Sequence, residues 1–406
     1  MVQKKTQQKK GSDARLLFVL VGALVLAFIF VAVIVLSTPD ESGSKDAIRI
    51  GAIYNLNGSQ SSLDTPSAQG ARLAVMEINE RGGIDGRAIN LTLYDGGTNT
   101  TKIAAAAHRL ISEDHVQVII GISDSDMVLP AAQVAAKEGI VFVTSGATSP
   151  LLPEKVPGYL YLSCFGDNTQ GAAAAEFAAS DLNAKTAAVI SDNSMEYTRL
   201  LSRYFTERFT SGGGNITGSM QYEGGSATIS ADIRKSGISS TRPDVVFVAC
   251  GPADCAAVVR AVRDTGITAP IVGGDSFDSP QVVNGVGPKA DRIYYTTHAD
   301  ISTASKDKNV NGFIRLYYIE YGEEPDAFAA LGYDAVNIVA EALKKSPSTT
   351  DLRGGLLAIH DYDGLTGTIS YRNQSQIPVK SVTIKGIING TVVSFGERIP
   401  VAVPEP

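Results

Sequence analysis

The chain is poor in the residues that build disulfide-stapled, metal-bound or nucleic-acid-binding proteins. Its 406 residues include three cysteines, four histidines and no tryptophan, and the formal net charge is −7. Three cysteines do not make the framework of a small disulfide-rich domain, and the cysteines and histidines lack metal-site spacing. No basic stripe follows residue 15, so the chain has no general attraction to nucleic acid. We expect no metal, no cofactor and no nucleic-acid partner.

Motifs of known catalytic chemistry are also missing. The sequence has no P-loop, no His-Glu-x-x-His and no serine in a Gly-x-Ser-x-Gly elbow, which are the patterns for phosphate, zinc and nucleophile chemistry. No acid stands with a histidine or cysteine in an arrangement that would activate a nucleophile. The sequence therefore favours a protein that is not an enzyme, and an extracytoplasmic enzyme is the weakest alternative.

One long apolar run stands near the N-terminus. Residues 16–36 read LLFVLVGALVLAFIFVAVIVL, and a helix of this length would measure about 31 Å, enough to cross a bilayer. A cleaved signal peptide is the alternative, but its apolar core is normally shorter and is followed by a small-residue cleavage site. The basic segment 1–15 belongs in the cytoplasm. The sequence predicts a single-pass anchor in the cytoplasmic membrane over 16–36, a linker over 37–46 and an extracytoplasmic body.

The body alternates between short apolar runs and helical patterns. In residues 116–152, an apolar β-branched run ends at Gly121, a helical stretch follows, and a second buried run spans 140–143. This strand–helix–strand order predicts parallel strands in one sheet. Two successive series of such units predict an α/β fold of two Rossmann-like lobes with parallel central sheets. Several passes between the lobes would form a hinge around a cleft.

Hydroxyl side chains follow both strands of that unit. Ser123 and Ser125 come after the first strand, and residues 144–149 read TSGATS after the second. In open parallel sheets, ligands bind beyond the carboxyl ends of the strands, and hydroxyls with free helix N–H groups suit a carboxylate. Serine and threonine also cap helices without binding any ligand. Both interpretations stay open at this point.

A series of short motifs resembles the leucine/isoleucine/valine-binding proteins, the type I periplasmic receptors of branched-chain amino-acid ABC transporters. The similarity covers residues 48–394 and rests on the order and spacing of these segments: Ile50-Gly-Ala-Ile-Tyr54, Gly70-Ala-Arg-Leu-Ala-Val-Met-Glu-Ile-Asn79, Gly82-Gly-Ile-Asp-Gly86, Gly121-Ile-Ser-Asp-Ser125, Thr144-Ser-Gly-Ala-Thr-Ser-Pro150 and Gly364-Leu-Thr-Gly367. The resemblance implies two lobes, 47–163 plus 298–363 and 164–297 plus 364–399, joined by a three-strand hinge. An amino acid would be enclosed between them.

The resemblance also implies roles for individual residues. Ser125 and Thr148 match the positions that hold the ligand's α-carboxylate, and Gly146 matches a carbonyl that accepts from its α-ammonium. From the second lobe, Tyr197 would cover the ligand and Asp275 would pair with the ammonium. The remaining two assignments are walls of the side-chain pocket, Tyr54 and Phe328.

Departures from the family pattern leave the ligand open, with amides and aromatic acids among the alternatives. Asp124 and Asp126 flank Ser125 and would oppose a carboxylate unless they point away or cap the helix. Asp275 is shorter than the glutamate common at its position, and Gly251-Pro252 replaces an aromatic residue of some members.

The pattern around Cys250 and Cys255 favours two buried thiols over a disulfide. We interpret the whole chain as a membrane-anchored receptor that captures an amino acid and delivers it to ABC permease and ATPase subunits. The alternative is an extracellular ligand sensor for a separate signalling partner.

Overall fold

The computed structural model describes residues 47–225, 227–346 and 351–406. These residues form two open sheets, each covered by helices on both faces. The strands are β1 Ile48–Tyr54, β2 Ile89–Asp95, β3 Val118–Gly121, β4 Val141–Thr144, β5 Leu160–Leu162, β6 Thr186–Asp192, β7 Asn215–Tyr222, β8 Val245–Ala249, β9 Ile271–Gly273, β10 Ile293–Thr297, β11 Tyr362–Gly364, β12 Gly367–Ile369, β13 Val382–Ile388 and β14 Thr391–Arg398. The helices are α1 Ser61–Glu80, α2 Thr100–Ser112, α3 Ser125–Lys137, α4 Leu152–Lys155, α5 Asp167–Ser180, α6 Glu196–Ser211, α7 Ile229–Lys235, α8 Ile238–Thr241, α9 Cys255–Asp264, α10 Pro280–Val286, α11 Lys308–Tyr321, α12 Ala327–Lys345 and α13 Leu352–Leu357.

The segments predicted as basic flank, membrane anchor and linker, residues 1–46, lie outside the described residues. None of the helices in the described ranges has the length and apolar character needed to cross a membrane.

The first sheet is entirely parallel and has the order β2-β1-β3-β4-β5. Its central strands β3 and β4 are buried at every residue, as expected where helices cover both faces of a parallel sheet. Helices α1 and α12 pack on one face, and α2 and α3 pack on the other. This arrangement places the carboxyl ends of β3 and β4, with their hydroxyl-rich loops, at one edge of the lobe.

The second sheet has the order β14-β13-β10-β9-β8-β6-β7. Strands β6 to β10 are parallel, whereas β13 and β14 run antiparallel at one edge. The prediction of two α/β lobes with parallel central sheets is confirmed. Strand β14 was not predicted, because it is exposed along most of its length and therefore lacks the alternation of apolar and polar residues that marks a half-buried strand.

The chain passes between the sheets after β5, after β10 and before β13. The third passage lies later than the predicted boundary at 363/364. Ile369 and Tyr371 still belong to the core of the first lobe, and the Tyr371 hydroxyl donates to the carbonyl of Leu162 at 2.6 Å. The chain joins the second sheet only at Val382.

Cys250 and Cys255 form a disulfide between the end of β8 and the start of α9. Our expectation of two separate thiols is therefore wrong. Helix α9 begins at Cys255, and the turn between the two residues brings their Cα atoms to 5.4 Å, within the range that a disulfide spans.

Candidate functional site

The loop that leads to Ser125 has a backbone conformation that few residue types can adopt. Gly121 has φ +129, and a Cβ atom there would lie 1.9 Å from the carbonyl oxygen of Ile53. Ile122 follows with φ +52, an unusual conformation for a β-branched residue. Its N–H donates to the Ile53 carbonyl at 3.0 Å, so this turn directs the following residues to the carboxyl edge of the first sheet.

Ser125 and Thr148 converge at that edge. The Ser125 hydroxyl oxygen accepts the backbone N–H of Thr148 at 3.2 Å and of Ser149 at 3.0 Å. The oxygen that the resemblance assigns to the ligand's carboxylate therefore also holds the second loop in place. Its own O–H hydrogen is free to point elsewhere, because the oxygen acts as acceptor in both contacts.

Residues from both lobes line one cavity with about 300 Å³ of space free of atoms, part of it open to solvent. Ser125 and Thr148 contribute from the first lobe, and Tyr197 and Asp275 from the second. The other lining residues are Gln60, Leu63, Ser123, Asp124, Met195, Pro252 and Ser276. The structure thus brings four of the seven predicted site residues together, and their role in binding stays a prediction.

Asp275 is a buried acid with a partner on each oxygen. The Tyr197 hydroxyl donates to Oδ1 at 2.6 Å, and Nε2 of His298 lies 2.9 Å from Oδ2. Burial alone would raise the pKa of Asp275, but the hydrogen bond and charge of His298, the hydrogen bond from Tyr197 and the nearby amide of Gln170 lower it below its ordinary value. Asp275 therefore carries a negative charge at neutral pH.

The other three predicted residues lie behind the cavity wall. Gly146 is buried, and a Cβ atom there would lie 3.0 Å from Ser123. The Tyr54 hydroxyl is 2.9 Å from the Ser145 hydroxyl, and burial raises the pKa of Tyr54. Phe328 contacts the His298 ring edge-on at 5.8 Å between centroids. In this structure Gly146, Tyr54 and Phe328 do not line the cavity. They pack behind the residues and loops that form its wall.

Asp126, one of the two acids flanking Ser125, turns away from the cavity and joins the lobes. Its carboxylate oxygens both accept the backbone N–H of Glu196 at 2.9 Å, at the N-terminus of α6, where the helix dipole favours negative charge. The Glu196 side chain in turn accepts from the Ser149 hydroxyl at 2.8 Å and pairs with Lys155 at 2.8 Å. Asp126, Ser149 and Lys155 of the first lobe therefore all contact Glu196 of the second lobe at the rim of the cavity.

Asp124, the other acid, caps α3 and also lines the cavity. Its Oδ1 accepts the backbone N–H of Asp126 at 2.8 Å. Burial, followed by the nearby charge of Asp126, raises the pKa of Asp124 to about 7. Its negative charge is thus only partly present at neutral pH, which reduces its opposition to a ligand carboxylate.

Sequence reasoning missed three polar residues beside the cavity: His298, Asp167 and Gln170. His298 stacks on Phe165 at 4.3 Å between ring centroids, a long-range contact with no local signal. The sequence pattern predicts a helix near 169–182, and the structure begins this helix two residues earlier, at Asp167. With the observed start, Asp167 and Gln170 stand three residues apart on one face of α5, and this spacing was the available signal.

A family model described as periplasmic binding protein matches residues 47–390. The chain belongs to this family. Leu/Ile/Val-binding protein homolog 3 of Brucella melitensis is 24% identical over 354 residues, covering 86% of this chain and 93% of that protein. The resemblance to leucine/isoleucine/valine-binding proteins is confirmed.

Solved structures of the same family superpose closely. LivJ of Streptococcus pneumoniae, a branched-chain amino acid transporter substrate-binding protein solved in complex with isoleucine, is 29% identical with a TM-score of 0.80, covering 87% of this chain and 100% of that one. The leucine-binding protein LivK of Thermotoga maritima is 28% identical with a TM-score of 0.79, covering 87% and 99%. The protein is therefore a substrate-binding protein of the branched-chain amino acid ABC transporter type, and its relatives are receptors rather than enzymes.

Proposed function

We propose that this periplasmic binding protein encloses a free amino acid between its lobes, with leucine, isoleucine and valine as the first candidates. The single observation that carries the proposal is the polarity of the cavity. Uncharged donors, Ser125 and the Thr148 loop, lie on one wall, and the ionised acid Asp275 lies on the other. A carboxylate is favoured on the first side and an ammonium group on the second.

The remaining wall suits an aliphatic side chain. Leu63, Met195 and Pro252 line the cavity together and offer no charge to a ligand. Pro252 stands where some family members carry an aromatic residue, so the pocket here provides a smaller apolar contact than a ring would give. The isoleucine bound by LivJ of Streptococcus pneumoniae has a side chain of this kind.

Closure is the mechanism that follows from a ligand touching both lobes. Such a ligand binds the closed arrangement more tightly than the open one, and this difference in affinity stabilises the closed arrangement. The rim contacts of Glu196 with Ser149 and Lys155 join the same two lobes and would form and break with the cleft. No covalent step is required.

Delivery to an ABC permease is the proposed fate of the ligand, with residues 16–36 anchoring the receptor in the cytoplasmic membrane. The apolar length of that segment supports the anchor, and the transporter relatives support delivery over the alternative role as a sensor. Co-purification of the full chain from membranes with a permease, rather than with a kinase or chemotaxis protein, tests this assignment.

Thermal-shift measurement of the full chain in detergent tests the ligand class. We expect leucine, isoleucine or valine to raise the melting temperature, whereas 4-hydroxybenzoate, glucose and adenosine leave it unchanged. Stabilisation by the sugar or the nucleoside alone would contradict the proposal, because neither carries the zwitterion that the two walls fit.

A further inference from the structure

The disulfide between Cys250 and Cys255 closes a short loop directly behind the cavity. Both cysteines are fully buried, and the loop between them carries Pro252, which lines the cavity. Met195, another lining residue, packs on the same loop, since a Cβ atom at Gly251 would lie 2.9 Å from the Met195 sulfur. Two apolar residues of the cavity wall therefore depend on where this loop lies.

Hydrogen bonds fix the far end of the loop. The Gly251 carbonyl accepts the backbone N–H of Asp254 at 2.9 Å and of Cys255 at 3.2 Å. The Asp254 carboxylate accepts the backbone N–H of Gly225 at 2.8 Å. Pro252 has no N–H to donate, so its position is set by its neighbours in the loop and by the crosslink that closes it.

A third lining residue, Ser276, contacts both ends of the crosslink. Its hydroxyl donates to the Cys250 carbonyl at 2.8 Å and lies 3.5 Å from the Cys255 sulfur. The neighbouring Asp275 takes the partners of both its carboxylate oxygens from outside this loop. The crosslink therefore bears on the apolar wall of the cavity more directly than on the acid that faces the ligand's ammonium group.

We propose that the Cys250–Cys255 disulfide is a positioning element for ligand specificity, which holds Pro252 and Met195 against the ligand's aliphatic side chain. The proposal rests on the proposed function. With the crosslink in place, the loop cannot retreat from the cavity. Without it, the glycine at position 251 gives the backbone freedom to move, and the apolar wall loses contact with the side chain. The groups that face the carboxylate and the ammonium keep their positions.

Loss of the crosslink should therefore reduce discrimination between side chains. Isoleucine and alanine share the carboxylate and the ammonium, but only isoleucine has a side chain long enough to use the apolar wall. A methylene group in an apolar pocket changes affinity about tenfold or more. A disulfide that served stability alone would act differently, because a smaller folded fraction lowers the apparent affinities for both ligands by the same factor. A crosslink over so short a loop also stabilises a fold less than one over a long loop.

Isothermal titration calorimetry of the full chain in detergent tests the proposal by comparing the wild type with the double variant Cys250→Ala/Cys255→Ala. Alanine binding is measured by displacement of isoleucine, which gives weak affinities as well. We expect the affinity for isoleucine to fall about tenfold and that for alanine to change by less than about twofold. Val258→Ala, at a fully buried position in the same core cluster, is the matched control. It should lower the melting temperature and leave the ratio of the two affinities unchanged.

Reduction of the wild type gives the same comparison without a substitution. Dithiothreitol breaks the S–S bond, each sulfur takes up one electron and one proton to become a thiol, and the dithiol is oxidised to a cyclic disulfide. Thiol labelling in urea should then report all three cysteines instead of Cys164 alone. The reduced protein should lose the same preference for isoleucine as the double variant. Equal losses for isoleucine and alanine, or no loss for either, would overturn the proposal.

The outcomes separate this inference from the function on which it rests. Isoleucine binding that keeps its preference over alanine without the crosslink overturns the role of the disulfide and leaves the amino-acid receptor intact. No binding of isoleucine, leucine or valine to the wild type overturns both.

Discussion

The two walls of the cavity are built in different ways. The first-lobe wall consists of short side chains and backbone at the ends of β3 and β4, fixed to each other by the Ser125 contacts with the next loop. The second-lobe wall consists of side chains from separate elements, Tyr197 from α6 and Asp275 after β9, that meet His298 from a crossover. The first wall is set by local backbone, and the second by packing between distant segments. We therefore expect substitutions on the second wall to reduce ligand affinity more than substitutions on the first wall do.

Loss of the acid on the second wall should have the largest effect. Asp275→Asn removes the charge and leaves His298 and Tyr197 without their ionised partner, and truncating a buried charge pair costs about 2–5 kcal/mol. We expect isoleucine affinity to fall at least about thirtyfold by calorimetry. Asp361→Asn, at an exposed acid, is the control and should bind normally. Equal affinities for the two variants would contradict the role of Asp275.

On the first wall, Ser125→Ala should have a smaller effect. The variant loses one neutral hydroxyl, which is worth about 0.5–1.5 kcal/mol in a hydrogen bond, so the affinity for isoleucine should fall about threefold to tenfold. Ser211→Ala, at an exposed helix end, provides the matched control. A loss as large as that of Asp275→Asn would remove the proposed difference between the walls.

At the rim, Glu196→Gln should have a modest effect. The Lys155 and Glu196 side chains are 37% and 24% exposed, and solvent-screened pairs of this kind contribute only about 0.2–1 kcal/mol. We expect isoleucine to dissociate about twofold to fivefold faster in stopped-flow measurements. The difference from wild type should shrink at high salt. A salt-independent difference would show that the contact acts through packing instead of charge.

The pH dependence of folding stability should show the buried acids of the first wall. The folded-state pKa of Asp124, about 7, exceeds its ordinary value of 3.8, so the folded chain binds a proton that the unfolded chain has already lost. Its contribution to stability is complete below pH 4 and falls as the pH rises through 7. Asp124→Asn should reduce the loss of stability between pH 5 and 8 by about 2–3 kcal/mol, measured by urea unfolding. An unchanged pH profile would show that Asp124 ionises freely.

The same difference between the walls explains what the sequence could predict. The parallel units of the first sheet and the convergence of Ser125 with Thr148 follow from local periodicity and from the rule that loops after parallel strands share an edge. Tyr197 and Asp275 were assigned only through the family resemblance, and their contact with each other was not foreseen. His298 lies 23 residues from Asp275 in sequence, and no local pattern links the two.

Other errors have local causes. The helix boundary that hid Asp167 was displaced by two residues, an ordinary error where Gly166 provides no side-chain cap. The late third crossover was missed because the short β11 and β12 pair with each other while their neighbours pack into the first lobe. The disulfide was missed because the sequence spacing alone does not report how close the two Cα atoms lie.

A crystal structure of the protein with L-isoleucine tests the central claim most directly. We predict the ligand's carboxylate within hydrogen-bond distance of Ser125 and Thr148, and its ammonium beside Asp275 on the opposite lobe. An isoleucine bound in the reverse orientation, or outside the gap between the lobes, would contradict it.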